Sequence, residues 1–179
     1  MKEDIVRIAK AIDFAARAHA SQRRKGAAAE PYVNHLAEVA LLVAEATQGA
    51  DASLVIAAYL HDTIEDCKVP YETLVAEFGK DVADLVREVT DDKDLSKAER
   101  KRLQIEHARS ASPRAKHLKL ADKISNLNAI LASPPADWRA GRKREYFEWA
   151  AKVVAGCRGV NPWLEARFDA AYARRAELG

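Results

Sequence analysis

The chain is short of the residues that punctuate β structure, with 7 glycines and 6 prolines among 179 residues. So few turn-formers disfavour a turn-rich β protein. Cysteine is scarcer still. Cys67 and Cys157 make neither a disulfide framework nor a CxxC motif, and two ordinary thiols in a reducing compartment are expected. No apolar run approaches the length of a membrane span. The first residues, Met1-Lys-Glu-Asp-Ile-Val-Arg7, lack the apolar core of a signal peptide. The expectation is therefore a soluble, cytoplasmic protein with no membrane contact. An excess of one charge is missing too. Lys and Arg number 29 against 27 Asp and Glu, a net charge of +2. That balance gives no case for nucleic acid, which asks for a dominant basic face. Internal repeats, low-complexity tracts and linkers are absent, and so is strand-like alternation.

What is present favours helices. Hydrophobic residues make up 49% and charged residues 31%, which excludes a disordered chain. The length suits one domain, residues 1–179, with a real core. Ile5, Ile8, Ile12 and the alanines at 15 and 16 recur at helical spacing, predicting a helix over residues 4–20. His19 near its end reads as a packed or capping residue. A second helix runs from His35 to about Thr47. Asp51 or Ser53 can cap the next, and Gly79 can close a short helix at a C′ position. Ser96 with Glu99 forms a capping-box pattern, and Ser112-Pro113 pairs an N-cap with an N1 proline. Asn161-Pro162 caps the last helix. The expected fold is all-α, a compact bundle of about eight to nine helices, in which sites form between facing helices.

Residues 54–66 concentrate the chemistry. An apolar run, Leu54-Val-Ile-Ala-Ala-Tyr-Leu60, ends in His61, Asp62, Glu65 and Asp66. Buried imidazoles and carboxylates need compensation, and a divalent metal accepts both. On one continuous helix His61 and Glu65 would share a face, as would Asp62 and Asp66. A helix end in charges is also ordinary, and the stretch alone does not decide. Two other positions bear on it. His35 follows Pro31-Tyr32-Val33-Asn34 at a helix start. Asp122 interrupts an apolar helix face between Ala121 and Ile124, with Asn126 one turn on. His35 suits a ligand or a structural histidine. Asp122 suits a ligand or, with Lys119 and Lys123 nearby, a solvent-facing edge. The basic clusters Arg23-Arg24-Lys25, Arg100-Lys101-Arg102 and Arg142-Lys143-Arg144 suit solvated faces or a small anionic ligand.

In order, Asn34-His35, His61-Asp62 and Asp122 with Asn126 resemble the H…HD…D pattern of the HD superfamily of metal-dependent phosphohydrolases. Arg24-Lys25-Gly26, Pro31-Tyr32-Val33-Asn34-His35, His61-Asp-Thr-Ile-Glu-Asp66 and Lys119-Leu-Ala-Asp-Lys-Ile-Ser-Asn126 are similar to the hydrolase domain of RelA/SpoT proteins. Residues 88–106 and Glu145-Tyr-Phe-Glu-Trp-Ala-Ala151 resemble the small alarmone hydrolases of the metazoan SpoT-homologue type.

The resemblance implies that His35, His61, Asp62 and Asp122 bind one Mn²⁺. It implies that Glu65 and Asp66 orient and deprotonate the attacking water. It places Arg24, Lys25, Asn126 and Tyr146 on the nucleotide, and Lys97 and Arg142 on its distal phosphates. The implied reaction removes the 3′-pyrophosphate of ppGpp or pppGpp, giving GDP or GTP plus pyrophosphate. The alternatives are a 2′-phosphatase acting on NADPH and a non-catalytic nucleotide-binding helical module. A homodimer is compatible with the sequence. Leu36 departs from the family by standing where proline often follows the first histidine. The chain has no room for the synthetase and regulatory domains of the long relatives, so degradation without synthesis is expected.

Overall fold

The computed structural model describes residues 2–178. Among the described residues ten α-helices follow in order: α1 (Lys2–Ala18), α2 (Val33–Ala46), α3 (Ala52–Leu60), α4 (Thr63–Cys67), α5 (Tyr71–Phe78), α6 (Lys80–Val89), α7 (Lys97–Ser110), α8 (Pro113–Ala132), α9 (Ala140–Ala155) and α10 (Pro162–Ala173). A 3-10 turn, Arg174–Glu177, ends them. Counting the closely spaced α3 and α4 as one broken helix gives nine. Among the described residues the only β-type pairing is an isolated bridge between Arg23 and Pro31.

Two helices organise the rest. Helix α3 buries Leu54, Val55, Ile56, Ala57, Ala58 and Leu60. A helix so apolar all round belongs in a core, and α1, α2, α6 and α8 surround it. Helix α8 buries Leu118, Leu120, Ala121, Ile124, Leu127 and Ile130, and packs on α2, α6, α9 and α10. Burying each leucine of this kind contributes about 1.5–3 kcal/mol. The helix starts are set locally. Asp51 accepts from the Leu54 amide, Ser112 from Ala115 and Asn161 from Leu164, as the sequence predicts. Ser96 likewise accepts from Glu99, but the Glu99 carboxylate turns to Arg102 instead of completing the box.

The charged end of residues 54–66 is not one continuous helix. Helix α3 stops at Leu60, and α4 begins at Thr63. His61 Nδ1 donates to the Ala58 carbonyl at 2.8 Å, and Thr63 Oγ1 to the Leu60 carbonyl at 2.6 Å. Side chains thus take carbonyls that a continuing helix would use, a known way to end one. His61 and Asp62 occupy the turn between the two helices, and Glu65 and Asp66 sit in the first turn of α4.

The segment between α1 and α2 is held against the end of α8. Arg24 N donates to Glu30 O at 2.9 Å, and Tyr32 N to Gln22 O at 3.1 Å. Gly26 is required by close approach: a Cβ there would lie 2.2 Å from the Ser133 carbonyl oxygen. Gly26→Ala must push this segment, with Arg24 and Lys25, off α8. With the nucleotide roles that the resemblance implies for Arg24 and Lys25, the expected outcome is a KM raised about tenfold with little loss of the implied metal, since a misplacement near 1 Å can cost up to about a hundredfold. Steady-state kinetics and metal analysis of the variant check it.

Candidate active site

Four side chains from α2, the α3–α4 turn and α8 converge. His35 is 3% exposed and His61 6%. Their rings meet edge to face at 5.3 Å. His35 Nε2 lies 3.7 Å from Asp62 Oδ2 and 3.3 Å from Asp122 Oδ1. His61 Nε2 lies 3.1 and 3.9 Å from the same two oxygens. Ligand atoms of His35, His61 and Asp62 all fall within 4.8 Å of one another.

The hydrogen positions follow from the other side of each ring. His61 Nδ1 faces a carbonyl, which can only accept, so Nδ1 carries the hydrogen and Nε2 is bare in the neutral ring. For His35, Ser125 Oγ donates to Glu38 Oε2 at 2.6 Å, and Asn128 Nδ2 donates to Glu38 Oε1 at 3.0 Å. The serine hydrogen is therefore committed, and His35 Nδ1 donates to Ser125 Oγ at 2.8 Å. Both Nε2 lone pairs point at the two carboxylates. His61 Nε2 is buried with no hydrogen-bond partner. In their neutral forms, two imidazole nitrogens facing two carboxylate oxygens lack hydrogens to share. That donor set fits a divalent cation.

The electrostatics show the same demand for positive charge between the two carboxylates, met here by a proton on His61. Burial lowers the His35 pKa. Burial also opposes charge on His61, but Asp62 and Asp122 outweigh it and leave its pKa raised to about 9. Burial pushes Asp62 and Asp122 upward, yet His61 holds Asp62 below the carboxylate range, and Lys123 with His35 does so for Asp122. The two carboxylates stay ionised, and the pocket between them attracts positive charge.

Three neighbours fix the two carboxylates. Tyr32 donates to Asp62 Oδ2 at 2.6 Å. Lys123, only 6% exposed, donates to Asp122 Oδ2 at 2.7 Å and lies over the Trp149 ring at 4.6 Å. Asn126 Nδ2 donates to Asp122 Oδ1 at 2.7 Å. Neither Tyr32 nor Lys123 is among the sequence candidates. Tyr32 lies inside the Pro31–His35 motif, which was its signal. On sequence alone Lys123 argues for a solvent-facing Asp122, yet Lys123 is buried and Asp122 half-buried beside it. Tyr32→Phe keeps the ring and removes one hydrogen bond. Metal affinity should fall about 10- to 100-fold, the range for supporting partners of ligands, as read by metal titration of the variant.

Glu65 and Asp66 border the same space. Glu65 Oε2 accepts from the Asp91 amide at 3.2 Å, and Oε1 lies 3.3 Å from Lys93 Nζ and 3.6 Å from Arg100. Burial raises the Glu65 pKa. Asp66 accepts from Gln22 Nε2 and from Lys93 Nζ, both at 2.8 Å. Lys93, carried in by the α6–α7 loop, is a contact the sequence did not disclose.

Two cavities adjoin the cluster. One of about 380 Å³ is lined by His61, Asp62, Glu65, Asp66, Asp122 and a set of lysines including Lys93, Lys119 and Lys123. The other, about 420 Å³, is lined by Arg24, Lys25, Trp138 and Arg142 among others. Lys25, Lys97, Asn126 and Tyr146 line both. All six residues expected on the nucleotide thus border one cleft. Arg24 Nη2 donates to Asn126 Oδ1 at 3.1 Å, so Asn126 links Arg24 to Asp122. Burial pushes the Tyr146 hydroxyl up to about 12, so it remains a donor at neutral pH. Lys97 and Arg142 are exposed, with Arg142 stacked on Trp138 at 4.5 Å. Cations outnumber acids along the cleft, which suits a polyanion.

A family model described as HD domain matches residues 11–157. The chain belongs to the HD-domain family. Among relatives of this HD domain, one from Xenopus tropicalis is 46% identical over 169 residues, covering 94% of each chain. One from Homo sapiens is 44% identical over 175 residues, covering 98% of each. Both are named guanosine-3′,5′-bis(diphosphate) 3′-pyrophosphohydrolase MESH1. A solved structure of a metazoan SpoT orthologue that hydrolyses ppGpp superposes with a TM-score of 0.91 at 44% identity, covering 94% of this chain and 95% of that one.

Proposed function

We propose that residues 1–179 form one Mn²⁺-dependent hydrolase domain that removes the 3′-pyrophosphate of ppGpp and pppGpp. The HD-domain relatives that match over nearly their full length carry that activity in their names. The single observation that carries the reading is the convergence of the His35 and His61 Nε2 atoms on Asp62 and Asp122, with the Glu65–Asp66 pair beside them.

His35, His61, Asp62 and Asp122 would hold one Mn²⁺. When bound, the cation polarises the scissile phosphate and makes a nearby water easier to deprotonate. Glu65 takes the proton from that water, its burial-raised pKa bringing it nearer the working pH. Asp66 orients the water. The water oxygen bonds to the phosphorus attached at the 3′ position. The bond from phosphorus to the 3′-oxygen breaks, the 3′-hydroxyl re-forms by taking a proton, and pyrophosphate leaves. Arg24 offers a flat guanidinium for stacking on the base. Lys25, Lys97 and Arg142 neutralise the phosphates, and Tyr146 donates from the cleft wall.

No described helix is long and apolar enough to cross a membrane. A cytoplasmic location accords with that and with two free cysteines. The cleft is lined by residues of one chain, and a homodimer is compatible with it.

A nucleotide panel tests the substrate. With Mn²⁺, ppGpp should yield GDP and pyrophosphate in equal amounts. Orthophosphate release from NADPH with ppGpp left intact would instead assign a 2′-phosphatase, and binding without turnover would assign a non-catalytic module.

A further inference from the structure

Two polar side chains just past α1, His19 and Gln22, have no part in the chemistry above. Gln22 Nε2 donates to Asp66 Oδ2 at 2.8 Å. A carboxylate only accepts, so the amide must present its nitrogen there and turn Oε1 the other way. Oε1 lies 2.6 Å from His19 Nδ1, so that nitrogen carries the hydrogen and donates. Cys67 Sγ, 3.3 Å from the same nitrogen, is a second and weaker acceptor. His19 is 2% exposed, and its Nε2 has no partner. The opposite tautomer would strand a hydrogen at Nε2 and remove the donor at Nδ1, and buried unsatisfied groups are costly. The environment therefore selects one tautomer of His19, which selects one orientation of Gln22.

The same ring stacks on Tyr32 at 5.0 Å with 19° between planes, and Tyr32 donates to Asp62. His19 thus touches the supports of two acids at once. On Asp66 the second oxygen, Oδ1, is held by Lys93, an exposed side chain on a loop. An arriving polyphosphate can draw that ammonium away, whereas the buried arm on Oδ2 stays.

We infer that His19 and Gln22 are positioning residues that fix Asp66 by Oδ2 and leave Oδ1 free to engage the reacting water. The inference rests on the role proposed for Asp66. Gln22→Met keeps the length and removes the amide. It should lower kcat about 10- to 100-fold, the scale for a misplaced reacting group, while KM changes less than about threefold and bound Mn²⁺ per chain is unchanged. Two variants of His19 separate positioning from packing. His19→Phe keeps the stack on Tyr32 and loses the donor. His19→Asn loses the stack and keeps an N–H near the place of Nδ1.

Positioning predicts that His19→Phe is impaired in kcat and His19→Asn is largely rescued. A packing role predicts the reverse, and that result would overturn the inference. So would a fully active Gln22→Met beside an inactive Asp66→Asn. If Asp66→Asn itself turned over normally, the role of Asp66 and the arm built on it would both fall.

Discussion

Asp122→Ala is expected to lose both the bound cation and turnover, the latter by about 10³-fold or more, since the cation's charge stabilisation is worth several kcal/mol. The geometry explains the size. Asp122 Oδ1 faces both histidine Nε2 atoms. The variant also strands Lys123, a buried cation whose partner is gone. Breaking a buried pair costs about 3–5 kcal/mol. Loss of activity must therefore be separated from loss of fold. The double variant Asp122→Ala/Lys123→Met removes the stranded charge. It should recover much of the stability in thermal melting and none of the activity or the metal. Recovery of turnover in the double variant would remove Asp122 from the site.

Glu65→Gln is expected to keep the cation and lose turnover by about 10² to 10⁴, the usual contribution of a positioned general base. Glutamine preserves the shape and can still accept from the Asp91 amide, but it cannot take a proton. The pH dependence carries a sign. Burial raises the Glu65 pKa, so the base form is lost as pH falls through a value above the ordinary carboxylate range. The wild-type kcat should show that acid limb, and the residual rate of Glu65→Gln should lack it. A variant that retained both rate and limb would move the base elsewhere, with Asp66 the next residue to test.

The convergence of His35, His61, Asp62 and Asp122 was legible because residue type and spacing both marked them. Asp122 stood out as an acid on an apolar face, and His35 as a histidine fixed after a proline-containing turn. The caps were legible because they are local: Ser112 and Asn161 each bond an amide three residues on. The interruption after Leu60 was not. It depends on His61 and Thr63 choosing backbone carbonyls over solvent, and an apolar run followed by charges reads equally well as one helix. Lys123 was misleading for a related reason. Lysine is rarely buried unless paired, and what permits it here is the Asp122 carboxylate together with Trp149, contributed by α9. Lys93 and Gln22 reach the acid pair from segments distant in sequence, so no periodicity could connect them to Glu65 or Asp66.

The central claim joins a four-residue cation site to one bond broken in one class of nucleotide. Titrating the metal-stripped protein with Mn²⁺ in the presence of ppGpp, while counting pyrophosphate released, tests both parts together. The account predicts no release without Mn²⁺ and a rate that rises in step with bound cation. It predicts saturation at one ion per chain, with pyrophosphate and GDP formed one to one. Release that is independent of added cation, or a product that is orthophosphate instead of pyrophosphate, would contradict it.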